Sequence, residues 1–187
     1  MGLLNRLRKV DAPTSTPPAR PAQPAVKVTL HAMYDAYSFT ADDGRKIWAV
    51  GFTVLDEDTG AYVTLHDQRF RNPHCLLCRI AGTTHRPRAL QDERFGPGHA
   101  VSLRLEPDNP YDGNAVSVWD AAQSMQGGFV PAEHSERIAK DLRAGVALGG
   151  VVLREFRRPK NGPRLGLHML IVPAGTLELV IDEGDGT

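Results

Sequence analysis

Between Val101 and Trp119 the chain alternates apolar and polar residues twice. Val101, Leu103 and Leu105 are set against Ser102, Arg104 and Glu106, and Val116 and Val118 against Ala115, Ser117 and Trp119. A period of two sends successive side chains to opposite faces, so each run predicts a strand with one buried face. The segment between them, PDNPYDGN, is longer than the two-residue loop that suffices to close a hairpin. Pro107 and Pro110 fix φ, Gly113 accepts a positive φ, and Asp108, Asn109, Asp112 and Asn114 can bond nearby backbone amides. So much turn chemistry around Tyr111 marks this loop as a candidate site.

The same patterning organises the rest of the chain. Val26, Val28 and Leu30 begin a strand, Trp48, Val50, Phe52 and Val54 share one face of another, and Tyr62 to Leu65 supplies a third, with turns at ADDGRK and DEDTG. CLLCRIAG reads as a buried strand. THRPRALQDERF, with Pro87 suited to a first turn and Gly96-Pro97-Gly98 behind it, predicts a short helix. Asp120 to Gln126 reads as a loop and GGFVP as the lead into a helix from Pro131 to Ala144, closed by Gly145. Its Ile138, Ala139 and Leu142 have helical spacing, and Arg137, Lys140 and Arg143 suit the negative end of the helix dipole. Val151–Phe156 and Leu165–Val172 form a final hairpin, and Thr176–Ile181 adds one more strand before the acidic tail DEGDGT.

Four segments follow: a disordered Pro-rich stretch over 1–25, a β-rich extension over 26–73, a principal domain over 74–173, and a short strand with acidic tail over 174–187. DAPTSTPPARPAQPA cannot build a core and reads as a flexible or polyproline-like linker; in an alternative reading this N-terminal segment engages a protein partner. The opening MGLLNRLRKV mixes charge into its apolar positions and is not expected to be a secretory signal. No apolar run is long enough to cross a bilayer as a helix, and no membrane partner is expected.

The net charge is zero but unevenly spread. Residues 1–27 carry five cations and one acid, 28–68 two and seven, 69–173 fifteen and ten, and 174–187 none and four. A basic surplus therefore falls on the principal domain as well as on residues 1–27, which permits phosphate binding there. Arg154, Arg157, Arg158, Lys160 and Arg164 lie within eleven residues at the last hairpin tip, the highest density of positive charge in the chain.

Cys75 and Cys78 fit a reducing cytoplasm and offer no disulfide framework. Their spacing, with His66, His74 and His85 nearby, invites a zinc test. Strand positions three apart point to opposite faces, and no second pair of ligands follows, so structural cysteines are expected and no metal. No Walker loop, G-x-S-x-G or H-E-x-x-H is present. A non-enzymatic protein without cofactor is the expectation.

The run EPDNPYDGNAVSV, with GTTHR before it and GGFVPAE after it, resembles the HIRAN domain, a module appended to Swi/Snf-type helicases and found as small free-standing bacterial proteins. The likeness extends over roughly Cys75 to Pro173. It implies a mainly β fold, an OB-like antiparallel β-barrel with two short helices, here preceded by a small antiparallel meander. It also implies binding of single-stranded DNA, in the best-known case at a free 3′ end. In the family the position of His85 tends to carry an aromatic, that of Thr84 a cation, and that of Ala132 a basic residue. This chain keeps a ring at 85 and has no charge at 84 or 132. Arg86 or Arg88 is close enough in sequence to replace the missing cation.

Unpaired strands are held by cations on the backbone and rings under the bases. Tyr111 and His85 are the candidate platforms, with Phe129 on the GGFVP segment, and Asn109 offers donor and acceptor to a base edge or sugar. A carboxylate in such a groove makes sense where a hydroxyl donates to it, so Asp112 with Asn109 would select a terminal 3′-OH. The competing role for both is to cap amides of their own turn. Arg86, Arg88, Arg154, Arg157, Arg158, Lys160 and Arg164 complete the expected interface. The resulting expectation is a single-stranded-DNA or 3′-end binding module in DNA repair or processing. The alternative is a protein-interaction barrel that has lost its DNA site.

Overall fold

The structure is a computed structural model; it describes residues 28–55, 75–174 and 177–182, with side chains over 34–53 and 75–174. The amphipathic opening, the Pro-rich stretch, the DEDTG turn, the strand expected at Tyr62–Leu65, His66 and His74, and the acidic tail after Asp182 lie outside the described residues.

Among the described residues nine strands form one sheet: β1 (Val28–Thr40), β2 (Lys46–Leu55), β3 (Leu76–Arg79), β4 (Ala100–Leu105), β5 (Val116–Asp120), β6 (Gln126–Phe129), β7 (Leu148–Arg157), β8 (Arg164–Pro173) and β9 (Leu177–Asp182). The helices are α1 (Pro87–Gln91) and α2 (Ala132–Arg143). The fold is therefore mainly antiparallel β with two short helices, as expected. Neighbouring strands run β6-β5-β4-β7-β8-β3. The ends of this ring meet at a single bridge, where the Ala81 amide donates to Phe129 O at 2.8 Å and the Phe129 amide to Ala81 O at 3.0 Å. The sheet is thus not closed by a ladder; one pair of hydrogen bonds spans its open seam, and the barrel is a loose one.

Its interior follows the alternation. Val101, Val116, Val118, Val152, Leu167, Met169 and Ile171 are buried with Phe95, and Leu103 and Leu105 pack against them half-buried. β5 departs from the expected pattern, because both of its faces are covered. Ser117 is fully buried and satisfied, donating to Arg104 O at 3.1 Å and accepting from Trp119 Nε1 at 2.9 Å. In α2 Ser135, Ile138 and Ala139 turn inward at helical spacing.

Two expected elements differ. GGF is not merely a lead into α2 but most of β6, which pairs with β5. Glycine is a poor strand former and is required here by close approach. A β-carbon on Gly127 would lie 2.5 Å from the Phe95 ring, and one on Gly128 2.3 Å from Ala81 O. The helix expected over THRPRALQDERF is divided into a 3₁₀ turn at Thr83–His85, α1, and a second 3₁₀ turn at Glu93–Phe95. Asp92 breaks it by taking an extended backbone and capping the Arg94 amide with its side chain.

β7 joins the barrel to the preceding strands. Its first half pairs with β4, through Gly149, Gly150 and Val151, and the same edge then pairs with β2 through Arg154 to Arg157. Between them Val152 O accepts from Gly98 N and Val152 N donates to His99 O. Gly51 makes the crossing feasible, since a β-carbon there would meet Leu153 O at 2.2 Å. β1 and β2 form the expected antiparallel pair, but the strand on the other side of β1 is β9, which runs parallel to it.

The β5–β6 connection is clamped by Asp120, only 2% exposed. It accepts from the Ser124 and Met125 amides at 2.6 and 2.9 Å, from Ser124 Oγ at 2.6 Å and from Arg94 Nη1 at 3.1 Å. Burial is the largest single influence on this carboxyl and opposes ionisation. The bonds from Ser124 and Met125 and the charge of Arg94 together outweigh it and hold the group below its ordinary 3.8.

Both restraints, the crowded glycines and the clamped carboxylate, are open to measurement. Gly128→Ala should lower stability by about 1–3 kcal/mol or more, read from the urea midpoint, whereas Gly166→Ala, with nothing within 4 Å of the new carbon, should stay within roughly 0.5 kcal/mol. Asp120 ionises more readily folded than unfolded, so its contribution is complete above about pH 5 and is lost as pH falls through the folded value. Asp120→Asn should therefore cost about 1–3 kcal/mol at pH 7 and flatten the acid limb of the stability profile, a slope that chemical denaturation at stepped pH measures.

Candidate nucleic-acid interface

The long turn between β4 and β5 holds itself together with its own polar groups. Asn109 Oδ1 accepts from the Tyr111 and Asp112 amides at 3.0 and 3.3 Å, and Asn109 Nδ2 donates to Glu106 Oε2 at 3.2 Å. Asp112 Oδ1 accepts from the Asn114 amide at 2.8 Å. Helix α2 braces the turn from outside: Ser135 Oγ donates to Asp112 Oδ2 at 3.0 Å, and Arg143 donates to Asn114 Oδ1 and Gly113 O, both at 2.8 Å. Arg143 thus serves the turn as well as the helix end. Tyr111 at the apex is 95% exposed.

Asn109 is consequently a turn builder first. Its carbonyl is committed twice within the loop, and one side-chain N–H remains for a ligand. Asp112 accepts one bond on each oxygen and is half-buried, so each oxygen keeps a lone pair. Capping and ligand contact are therefore compatible in this carboxylate.

A second group of side chains is tied to the turn through Glu106. Gln126 of β6 donates to Glu106 Oε1 at 3.4 Å and accepts from Arg86 Nη2 at 2.9 Å. The Arg86 guanidinium lies 4.8 Å over the Phe129 ring. This chain of bonds, from Arg86 through Gln126 and Glu106 to Asn109, gathers residues from the 83–86 turn, β6 and the β4–β5 loop. His85 and Thr84 sit exposed beside Arg86 on the 3₁₀ turn. Arg88 is exposed on α1, and Ala132 is exposed at the first position of α2. Six expected residues, His85, Arg86, Asn109, Tyr111, Asp112 and Phe129, therefore belong to one region. Glu106, Gln126 and Ser135 support it without having been expected in the site, and Arg143, expected only to suit the helix dipole, joins them, because nothing in their spacing signals that they meet.

The cations of the β7–β8 tip are placed otherwise. Arg164 is 8% exposed; it pairs with the buried Glu155 and donates to Asp92 O at 2.6 Å. Arg157 pairs with the other Glu155 oxygen at 2.5 Å and donates to Gly162 O at 2.6 Å. Arg154 pairs with Asp35 at 3.2 Å and lies 4.8 Å over the Tyr37 ring. These three expected interface residues are thus tied to β1, to the end of α1 and to their own hairpin. Arg158 and Lys160 are exposed, with Lys160 Nζ 5.3 Å from the Trp48 ring centre.

Cys75 and Cys78 are buried free thiols. Burial pushes Cys75 up and Cys78 up to about 12, with Glu133 adding to the second and Arg137 opposing both. Both thiols are packed in the interior at β3, and a thiol so far from ionisation at neutral pH is a poor nucleophile. Among the described residues no group of three or more His, Cys, Asp or Glu side chains is arranged to hold a metal. No described helix is long and apolar enough to cross a membrane.

Among solved structures, the crystal structure of the HIRAN domain of human HLTF is similar at 24% identity, covering 53% of this chain and 75% of that one, with a TM-score of 0.39. No curated protein matches. The family description HIRAN domain matches residues 74–167, half of the chain and the whole of the region that builds the turn, Arg86 and Phe129. The chain belongs to the HIRAN domain family.

Proposed function

We propose that this protein is a DNA-binding module whose turn face holds unpaired DNA at its 3′ end, in DNA repair or processing and without catalysis of its own. The observation that carries the reading is Tyr111, a large ring left almost wholly in water on a loop whose other polar groups are braced by Asn109, Ser135 and Arg143. An exposed aromatic on a rigid support loses little entropy when a base stacks on it. Arg86, held over Phe129 and tied to Gln126, supplies a cation to the same region, and His85 a second ring. Asp112 retains acceptor capacity for a terminal hydroxyl while repelling an internal phosphate, which favours an end over a continuous strand.

Thr84 and Ala132, exposed and uncharged, favour the second reading, a protein-interaction domain without a DNA site. Salt separates the two. Phosphate contacts weaken binding steeply as log salt rises, and an apolar protein contact barely responds.

Anisotropy with oligonucleotides ending in 3′-OH, 3′-phosphate or a blocked end tests the proposal. The hydroxyl end should bind tightest, and Asp112→Ala should abolish the preference; equal affinity for all three ends would remove end capture and leave groove binding. Tyr111→Ala should weaken binding by the worth of a stacked base, about 1–3 kcal/mol, with the melting temperature unchanged, because that ring buries almost nothing.

A further inference from the structure

Of the two tip cations left uncommitted by the barrel, Lys160 meets an aromatic ring outside the family match and Arg158 lies near Asp43 of the adjoining turn. In the β1–β2 register Tyr34, Ala36 and Ser38 stand opposite Phe52, Val50 and Trp48, so their side chains share one face. β7 joins that face where Arg157 pairs with Trp48 and Glu155 with Val50. A depression of about 620 Å³ opens there, with Tyr34, Arg157, Lys160 and Asn161 among its walls.

The charges around it do not cancel. Glu155 and Asp35 are the acids in the depression; Glu155 is buried and held by Arg157 and Arg164. Asp35 is taken by Arg154, and Asp43 in the adjoining turn by Arg45. Lys46 and Lys160 have no carboxylate partner among the described residues. Instead their ammonium groups lie 5.2 and 5.3 Å from the centre of the Trp48 ring. Arg158 is exposed beside them, close enough to Asp43 to lower its pKa, though less than Arg45 does. Among the described residues Asp42 is the acid left without a cation here, against Lys46, Arg158 and Lys160.

We propose that this surface is a second contact for an unpaired polynucleotide, in which Trp48 stacks a base and Lys46, Lys160 and Arg158 take the flanking phosphates. Long lysine stems can uncover the ring and keep their charge within reach of it, the combination that sequence-tolerant strand binding uses. An acidic peptide would satisfy the cations but leave the indole without a flat partner. Lys46 and Trp48 precede residue 74, where the family match begins, and Arg158 and Lys160 lie within it, so this contact joins the β1–β2 addition to the β7–β8 tip and stands independently of end capture at Tyr111.

The test uses the full chain carrying Trp119→Phe, which makes Trp48 the sole tryptophan of the original two. Tyr111→Ala is added to remove the end site. Oligothymidylate or oligouridylate blocked at the 3′ end should quench the Trp48 fluorescence, with affinity falling as salt rises. Lys46→Ala with Lys160→Ala, both at exposed positions, should reduce the log–log salt slope by about 1.4, at roughly 0.7 for each phosphate deprived of its lysine. Trp48→Leu, followed by anisotropy, should weaken binding about 5- to 150-fold. Absence of quenching by both oligonucleotides, a salt slope unchanged in the double lysine variant, or polyglutamate displacing the oligonucleotide at equal charge concentration would each overturn the proposal.

Discussion

Positions 127 and 128 have no room for a β-carbon, and the candidate interface depends on that steric limit. With Phe95 on one side and the Ala81 carbonyl on the other, β6 can lie close enough for Phe129 to exchange two hydrogen bonds with Ala81. The same approach sets the Phe129 ring beneath Arg86 and brings Gln126 within reach of both Arg86 and Glu106. A bulkier β6 would separate the seam of the barrel and the cation that stands over it together.

The turn shows how a polar loop is made rigid without a core. Each net hydrogen bond contributes only about 0.5–1.5 kcal/mol, so no single bond holds the loop. Asn109 satisfies two amides that the tight path would otherwise strand, and α2 contributes Ser135 and Arg143 from outside the loop. Tyr111 makes no such bond with its ring, and its exposure is the consequence. Internal satisfaction of the neighbours and exposure of the ring are two sides of one arrangement.

Charge is divided by burial rather than by sequence proximity. Glu155 has one oxygen on each of two arginines because an unpaired buried carboxylate is strongly unfavourable. That requirement removes Arg157 and Arg164 from the set of cations free to meet a ligand, while Lys160 and Arg158, on the same eleven-residue tip, stay in solvent. The β1–β2 pair then gives Lys160 a neighbour, Trp48, that lies more than a hundred residues earlier in the chain.

Periodicity alone determined β4, the β1–β2 pair, the last hairpin, α2 and the apolar set that fills the barrel, because alternation of two and spacing of three to four are properties of short stretches. The run EPDNPYDGNAVSV likewise carried the family resemblance and singled out the turn, since its prolines, glycine and amide-bonding side chains act over a few residues. β6 was hidden, because two glycines argue against a strand until Phe95 and Ala81 are seen to crowd them. So was the division of the arginines, where identical residues in one tip become structural or free according to whether Glu155 lies within reach. Those outcomes depend on groups brought together from distant parts of the chain, and only the tertiary structure decides which groups meet.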